Sequence, residues 1–176
     1  MSNYLSDYYS VQNGSVYHII SYFNPPSEIE FFNETYQTKG LYYTNLEKPY
    51  RVPNCEKFVA KEIKLVMFIR NMEFETYVLP FFQLTLYVGD IDVFNAHSIE
   101  FYSNYGISGS AEIGIVLFYP TSATNWRIKL LNEIEIKKDV NFKVVFSNME
   151  KFTGTIEYPN YIGIFIYGTF YRKIIG

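Results

Sequence analysis

Hydrophobic and polar residues alternate along much of the second half of the chain. The clearest stretch runs from 126 to 137, and its apolar phase comprises Trp126, Ile128, Leu130, Ile134 and Ile136. Charged side chains fill the other phase, and such period-two alternation is typical of a β-strand with one buried face. After a polar corner at 138–141, Phe142, Val144 and Phe146 resume the pattern. The stretch therefore predicts an antiparallel hairpin.

Similar patterns predict strands through most of the chain after residue 57. They cover 58–70, 79–88, 91–93, 99–101, 113–117, 152–158 and 161–173. A helix competes for 58–70, but Ile, Val and Phe dominate there and no capping residue precedes them, so a strand is favoured. The last strand is apolar on both faces, with Phe165, Tyr167 and Tyr171 opposite the isoleucines. Such a strand is either central in the molecule or pressed against a partner.

These patterns predict an all-β fold. From residue 57 we count about eight strands, with no convincing helix and no internal repeat. Eight antiparallel strands in two sheets is the number of a jelly roll, and other β-sandwiches are the alternative. We therefore predict an eight-stranded two-sheet sandwich (jelly roll) over 57–176. Residues 1–56, which are rich in aromatic residues and interrupted by prolines, are predicted to form an extended N-terminal arm.

Composition favours a protein that makes interfaces. Aromatic residues make up 20% of the chain, with 18 Tyr, 16 Phe and one Trp. Tyrosine suits surfaces that a neighbour half covers, although an AT-rich genome would give the same enrichment. The first 56 residues hold three basic and six acidic groups of a chain whose net charge is −3. Because binding to nucleic acid requires clustered cations, we expect no direct nucleic-acid binding.

Few residues have the chemistry of a catalytic or metal site. His18 and His97 are far apart in sequence and lack further ligands at suitable spacing, so we predict no catalytic residues, no metal and no cofactor, and each histidine is assigned to the surface or a loop. Asp90 and Asp92 are interpreted as turn-capping residues rather than Ca²⁺ ligands. Cys55, the only cysteine, is predicted to be a buried or bystander thiol. No secretory leader or transmembrane run is recognised.

Two kinds of binding surface remain as candidates. An apolar, aromatic arm must lie against its own domain or a neighbouring subunit. The predicted intersubunit residues are Tyr4, Tyr8, Tyr9, Tyr17, Tyr22, Phe23, Phe31 and Phe32. The alternative is a carbohydrate-binding sandwich, for example a receptor-binding or spike domain, in which Tyr102, Tyr105 and Tyr119 stack on sugars.

The chain resembles the single jelly-roll capsid proteins of tailless icosahedral viruses of archaea and thermophilic bacteria. The resemblance rests on the aromatic arm, the strand count, the stretch EIEIKKDVNFKVVF (133–146) and the last strand IGIFIYGTFYRK (162–173), and it covers residues 58–174. It implies a non-enzymatic structural protein of the virion, made in the host cytoplasm. Its partners would be copies of itself, other capsid proteins and an inner viral membrane surface.

Overall fold

The described part of the chain is almost entirely β-structure. The structure, a computed structural model, describes residues 9–22, 28–39, 43–68, 83–97, 126–147 and 160–174. Within these ranges the elements are β1 (Tyr9–Tyr22), β2 (Ile29–Phe31), α1 (Tyr36–Lys39), β3 (Lys57–Phe68), β4 (Gln83–Val88), β5 (Ile91–His97), β6 (Trp126–Lys137), β7 (Phe142–Ser147) and β8 (Asn160–Lys173). Within these ranges the prediction of an all-β fold is confirmed, including the choice of a strand over a helix for β3. The strands predicted at 99–101, 113–117 and 152–158 lie outside the described residues.

The strands form two four-stranded sheets. Sheet A has the order β1-β8-β3-β6, and sheet B has the order β2-β7-β4-β5. Every neighbouring pair is antiparallel. The prediction of a two-sheet antiparallel sandwich is therefore confirmed.

The inner faces of the two sheets pack together and form one hydrophobic core. Because side chains alternate along a strand, every second residue points inward. Leu84 and Leu86 of β4 and Ile164 and Ile166 of β8 are fully buried in this way. The largest fully buried side chains are the phenylalanines Phe31, Phe32, Phe58, Phe142 and Phe146. Burial of each contributes roughly 1.5–3 kcal/mol.

A bulge in β3 changes which residues face the core. The register against β6 and β8 shifts between Ala60 and Glu62. Phe58 and Ala60 are fully buried before the shift, and Ile63 is fully buried after it, whereas Lys61 is exposed. An extra residue in one strand reverses the parity of its faces. The bulge therefore explains why Lys61 interrupts the apolar phase of the sequence.

Gly168 of β8 lies beside this bulge and packs closely against β3. A Cβ atom at this position would lie 2.1 Å from the carbonyl oxygen of Val59 and 2.8 Å from the ring of Phe58. A side chain would therefore force the two strands apart. Glycine at this position thus allows the close approach of β8 to β3.

The hairpin predicted over 126–146 is wrong. Strand β6 pairs with β3 in sheet A, whereas β7 pairs with β2 and β4 in sheet B, so the corner at 138–141 crosses from one sheet to the other. A hairpin instead joins β4 and β5, where Gly89 adopts a φ of 62° and forms the turn with Asp90. The prediction failed because a short polar corner has the same local pattern in both kinds of connection.

The described part of residues 1–56 belongs to the sandwich. Strand β1 pairs with β8 over all 14 of its residues, and β2 pairs with β7. Residues 43–46 cover the outer edge of β1, where the Ile19 N–H donates to the carbonyl oxygen of Tyr43 at 2.6 Å. The predicted division into an arm and a sandwich at residue 56 is therefore not confirmed.

His18, which was predicted to lie at the surface or in a loop, is fully buried on the inner face of β1. Its Nδ1 accepts a hydrogen bond of 2.8 Å from the backbone N–H of Phe32, and its Nε2 lies 3.7 Å from Oε2 of Glu34. A buried imidazole is tolerated when local groups meet its hydrogen-bonding needs. The prediction that His18 lies at the surface or in a loop is therefore wrong. His97 lies in strand β5, not in a loop.

Candidate interaction surface

Strand β8 lies between β1 and β3 in sheet A, and both of its faces carry apolar residues. The inner face belongs to the core. The outer face carries a row of partly exposed aromatic side chains: Tyr161, Phe165, Tyr167 and Tyr171. The two apolar phases in the sequence of β8 therefore correspond to the two faces of this strand. One face belongs to the core, and the other is an aromatic outer surface.

Strand β1 extends this row sideways. Tyr17 is the direct cross-strand partner of Phe165, and their rings stack with centroids 5.3 Å apart and planes inclined by 23°. Phe165 also stacks with Tyr167, at a centroid distance of 6.3 Å. Directly paired residues share one face of a sheet, so strand register creates this cluster. Aromatic pairs of this kind add about 0.5–1.5 kcal/mol beyond the area they bury.

Three cations from β3 and β6 lie over the rings. The distances from cation to ring centre are 5.0 Å for Lys57 and Tyr171, 5.7 Å for Lys64 and Phe165, and 5.5 Å for Arg127 and Tyr167. These distances are within the range of cation–π attraction. We call this surface the aromatic face, and it comprises Tyr17, Tyr161, Phe165, Tyr167 and Tyr171 with Lys57, Lys64 and Arg127.

Carboxylates hold two of these cations in place. Lys57 Nζ donates to Oε2 of Glu135 at 2.8 Å, and Arg127 Nη1 lies 3.4 Å from Oε1 of Glu62. The hydrogen bond between Lys57 and Glu135 raises the pKa of the lysine and lowers the pKa of the carboxyl. Burial, followed by the nearby charge of Arg127, lowers the pKa of Lys64. The aromatic face therefore combines apolar rings with fixed charges, as protein interfaces do.

A groove of about 440 Å³ continues the aromatic face at one end. Its lining residues are Tyr9, Val11, Glu56, Lys57, Glu135, Lys137 and Tyr171. Val11 is 59% exposed and adds apolar surface beside the two tyrosines of the groove. The groove can accept an apolar side chain from a partner.

Five of the predicted intersubunit residues lie in the described part of the chain, and they occupy different positions in the fold. Tyr17 lies on the aromatic face, and Tyr9 lines its groove. Phe31 and Phe32 are fully buried in the core of their own chain, so these two side chains offer no exposed surface for a partner. Tyr22 is the last residue of β1.

The other predicted site residues are not covered by the described part of the chain. They are Tyr4, Tyr8 and Phe23 of the intersubunit set, and Tyr102, Tyr105 and Tyr119 of the sugar-stacking set. Their roles stay predictions.

Sequence reasoning did not include Phe165, Tyr167 or Tyr171 among the site residues. The signal was nevertheless present, because these residues occupy the second apolar phase of the last strand. The sequence alone could not identify Lys64 and Arg127 as site residues, because only the pairing of β8 with β3 and of β3 with β6 brings them over the rings.

Other chemistry is sparse among the described residues. No group of three or more His, Cys, Asp or Glu in those ranges is placed to hold a metal ion. Cys55 is buried, and burial raises the pKa of its thiol to about 11, so little thiolate exists at neutral pH. In the same ranges no helix has the length and apolar character needed to cross a membrane.

Comparison with known proteins adds no relative from which a function could be transferred. No protein-family model matches the chain, and no curated protein matches its sequence.

Proposed function

We propose that this chain is a structural virion protein, a jelly-roll capsid subunit that assembles into an icosahedral shell. Its partners would be copies of itself and other capsid proteins, with an inner viral membrane surface as a further contact. The observation that carries the proposal is the strand order of the two sheets. The aromatic face supports it by offering a surface for a second copy.

The strand order supports a jelly roll. Strand β1 pairs with β8, β2 with β7, β3 with β6, and β4 with β5. This nested pairing is what results when one long antiparallel ribbon is wound so that successive strand pairs join opposite sheets. The pairs β1–β8 and β3–β6 lie in sheet A, and the other two lie in sheet B. Jelly rolls of eight strands are common in viral capsids and lectins.

The fold alone does not determine the function, so the proposal also depends on the outer surface of sheet A. The aromatic face combines tyrosines with an arginine, and these are residue types enriched at the energetic centres of protein interfaces. Its neighbouring groove offers a place for an apolar side chain of the partner. Both features favour contact with another protein.

The size of the surface is suitable for such a contact. The strands of sheet A contain 12 to 14 residues. At about 3.3 Å per residue and about 4.8 Å per strand, the outer face measures roughly 45 Å by 19 Å, or about 850 Å² if flat. A standard protein interface buries about 800 Å² on each partner. One copy of sheet A therefore has enough area for a stable contact.

Carbohydrate binding is the second candidate, because a row of aromatic residues can also stack on sugars. The geometry of the aromatic face favours it less. Sugar stacking requires open ring faces, whereas Lys57, Lys64 and Arg127 already lie over three of the rings. A glycan would have to displace these cations.

Self-association of the purified chain tests the proposal. The test compares Tyr167→Ser with Tyr87→Ser, using sedimentation velocity over a range of concentrations. Both tyrosines are partly exposed and lie beneath a cation, at 5.5 Å for Arg127 and 5.7 Å for Lys143, but Tyr87 lies on sheet B. We expect the unmodified chain and the Tyr87 variant to form multimers or particles, and the Tyr167 variant to associate at least about tenfold more weakly.

Two results would contradict the proposal. One is a chain that stays monomeric at high concentration and binds a defined glycan on an array, which would favour the second candidate. The other is equal association of both variants, which would exclude the aromatic face as the contact. Electron microscopy of the assembled fraction distinguishes closed shells from irregular aggregates.

A further inference from the structure

A separate cavity of about 730 Å³ lies where three segments of the chain meet. The segments are the loop before β3, the corner between β6 and β7, and the end of β8. Backbone hydrogen bonds join them: the Glu56 N–H donates to the Tyr171 carbonyl oxygen at 2.8 Å, and the Lys138 N–H donates to the Glu56 carbonyl oxygen at 3.0 Å. The walls of the cavity are therefore fixed relative to one another.

Cations outnumber carboxylates in the lining. The cations are Lys48, Arg51, Lys138, Arg172 and Lys173, and the carboxylates are Glu47, Glu56 and Asp139. Glu56 is already engaged, since its carboxylate lies 2.9 Å from Lys138 Nζ. Within the described ranges, no carboxylate lies at ion-pair distance from the other four cations. Among the described residues the lining therefore has a net positive charge, with five cations against three carboxylates.

Arg51 adds a second guanidinium to the lining. Its side chain lines the cavity, and its Nη1 atom is buried without a hydrogen-bond partner among the described residues. A buried donor without an acceptor costs free energy, and more so when it is charged. The adjacent Tyr50 holds this position, because its N–H donates to the Phe32 carbonyl oxygen at 2.7 Å and its carbonyl oxygen accepts from the Phe142 N–H at 2.9 Å.

Arg172 approaches from the end of β8 and is held by neutral groups only. Its Nε donates to the carbonyl oxygen of Asn54 at 3.0 Å, and its Nη1 donates to Oε1 of Gln12 at 2.8 Å. The guanidinium is thus oriented while its charge stays without a carboxylate partner. Both guanidinium groups line one cavity, and guanidinium groups suit a tetrahedral oxyanion, whose oxygens accept several hydrogen bonds.

We propose that this cavity binds a phosphate or sulfate group, with Arg51 and Arg172 as the main ligands and Lys48 and Lys173 as supporting charges. The volume exceeds that of a free phosphate ion and lies within the range of small-molecule sites. The oxyanion can therefore be a free ion or part of a larger phosphorylated or sulfated molecule. This inference does not depend on the proposed capsid function.

Calorimetric titration of the full chain tests the site. The probes are inorganic phosphate and sulfate, with chloride at matched ionic strength as the reference. We expect saturable binding of phosphate, and Arg51→Gln is expected to weaken it at least about tenfold. Arg127→Gln is the matched control, because it removes an arginine from the aromatic face instead. Adenosine 5′-phosphate and a sulfated glucose then distinguish the sources, since tighter binding of either identifies the larger ligand.

A second variant keeps the test decisive if Arg51→Gln fails to fold. Lys173→Gln changes an exposed residue at the end of β8, and we expect it to weaken phosphate binding about threefold while the circular dichroism spectrum is unchanged. Absence of saturable phosphate binding in the unmodified chain would overturn the proposal. So would an equal loss in Arg127→Gln, which would indicate general charge attraction rather than a built site.

Discussion

The two sheets contribute similar inner faces but expose different outer faces. On the outer face of sheet B, short polar side chains bond to one another: Thr85 Oγ1 donates to Oδ1 of Asn95 at 2.6 Å, and Gln83 Nε2 donates to the same oxygen at 3.1 Å. On sheet A, aromatic rings of β1 and β8 lie partly exposed beneath cations of β3 and β6.

This difference indicates which sheet is available to a partner. Polar groups that bond within the sheet gain little from a second protein, because any new bond replaces an existing one. Partly exposed rings keep apolar area that a partner can remove from water, at about 25 cal/mol per Å². The comparison therefore favours sheet A over sheet B as the contact surface of the proposed assembly.

The largest predicted effect concerns the inner faces, where the two sheets should behave alike. Phe58 of sheet A packs on Phe170 at 4.6 Å between ring centroids, and Phe146 of sheet B packs on Phe31 at 5.5 Å. Phe58→Ala and Phe146→Ala should each lower the free energy of unfolding by about 3–5 kcal/mol, because each leaves a cavity in the core. Urea denaturation of monomeric protein measures this loss.

Tyr167→Ala on the outer face of sheet A is the matched control for these two variants. It should lose about 1 kcal/mol, because its ring is partly exposed in the monomer. A loss as large as that of Phe58→Ala would mean that the aromatic face is covered within the single chain, and the distinction between the sheets would disappear.

Local pattern predicted the strands far better than it predicted their partners. The phase of β7 identified Phe142, Val144 and Phe146 as buried, because alternation is a property of each strand alone. The pairing of β6 and β7 was misjudged, since a four-residue corner can join two strands of one sheet or cross between sheets. Likewise, β1 has mixed polar and apolar residues, and its 14-residue pairing with β8 depends on a segment more than a hundred residues away.

The candidate sites show the same limit. The aromatic row was visible as the second apolar phase of the last strand, but the cations above it come from strands that only register brings together. The charged cavity is assembled from segments near residues 51, 138 and 172. No sequence window contains such a site, so sequence reasoning had no means of finding it.

A second prediction concerns the hydrogen bonds of Glu30 on sheet B, which are tested through the pKa of Tyr50. Glu30 Oε1 accepts from the Tyr50 hydroxyl at 2.5 Å, and its Oε2 accepts from Lys143 Nζ at 2.7 Å. The hydrogen bond to Glu30, together with burial, raises the pKa of Tyr50 to about 12. In Glu30→Gln the pKa of Tyr50 should fall toward 10, and NMR titration of tyrosine labelled at Cζ measures it.

The hydrogen bonds of Glu30 and Tyr50 contribute to the free energy of unfolding only between an acid and an alkaline pH limit. Burial alone would raise the pKa of Glu30, but its hydrogen bonds with Lys143 and Tyr50 outweigh burial and hold the pKa below 4.5. The contribution of the carboxylate is therefore present above pH 4.5 and is lost as pH falls through the lowered value. The raised pKa of Tyr50 gives a contribution that is complete below pH 10 and disappears between about pH 10 and 12. Glu30→Gln should remove the acid dependence and reduce the alkaline one, whereas Glu135→Gln on sheet A should leave the alkaline one unchanged.

The smallest predicted effect is the ion pair between Lys57 and Glu135 beside the aromatic face. Their side chains are 39% and 43% exposed, so water screens the attraction despite the 2.8 Å contact. A double-mutant cycle with Lys57→Ala and Glu135→Ala should give a coupling of about 0.2–1 kcal/mol in the monomer. If a second copy covers sheet A, the same pair loses solvent, and its coupling should rise under conditions of assembly. A coupling that is identical in both states would mean that the partner does not cover this part of sheet A. A value above about 2 kcal/mol in the monomer would mean that the pair is already desolvated within the single chain.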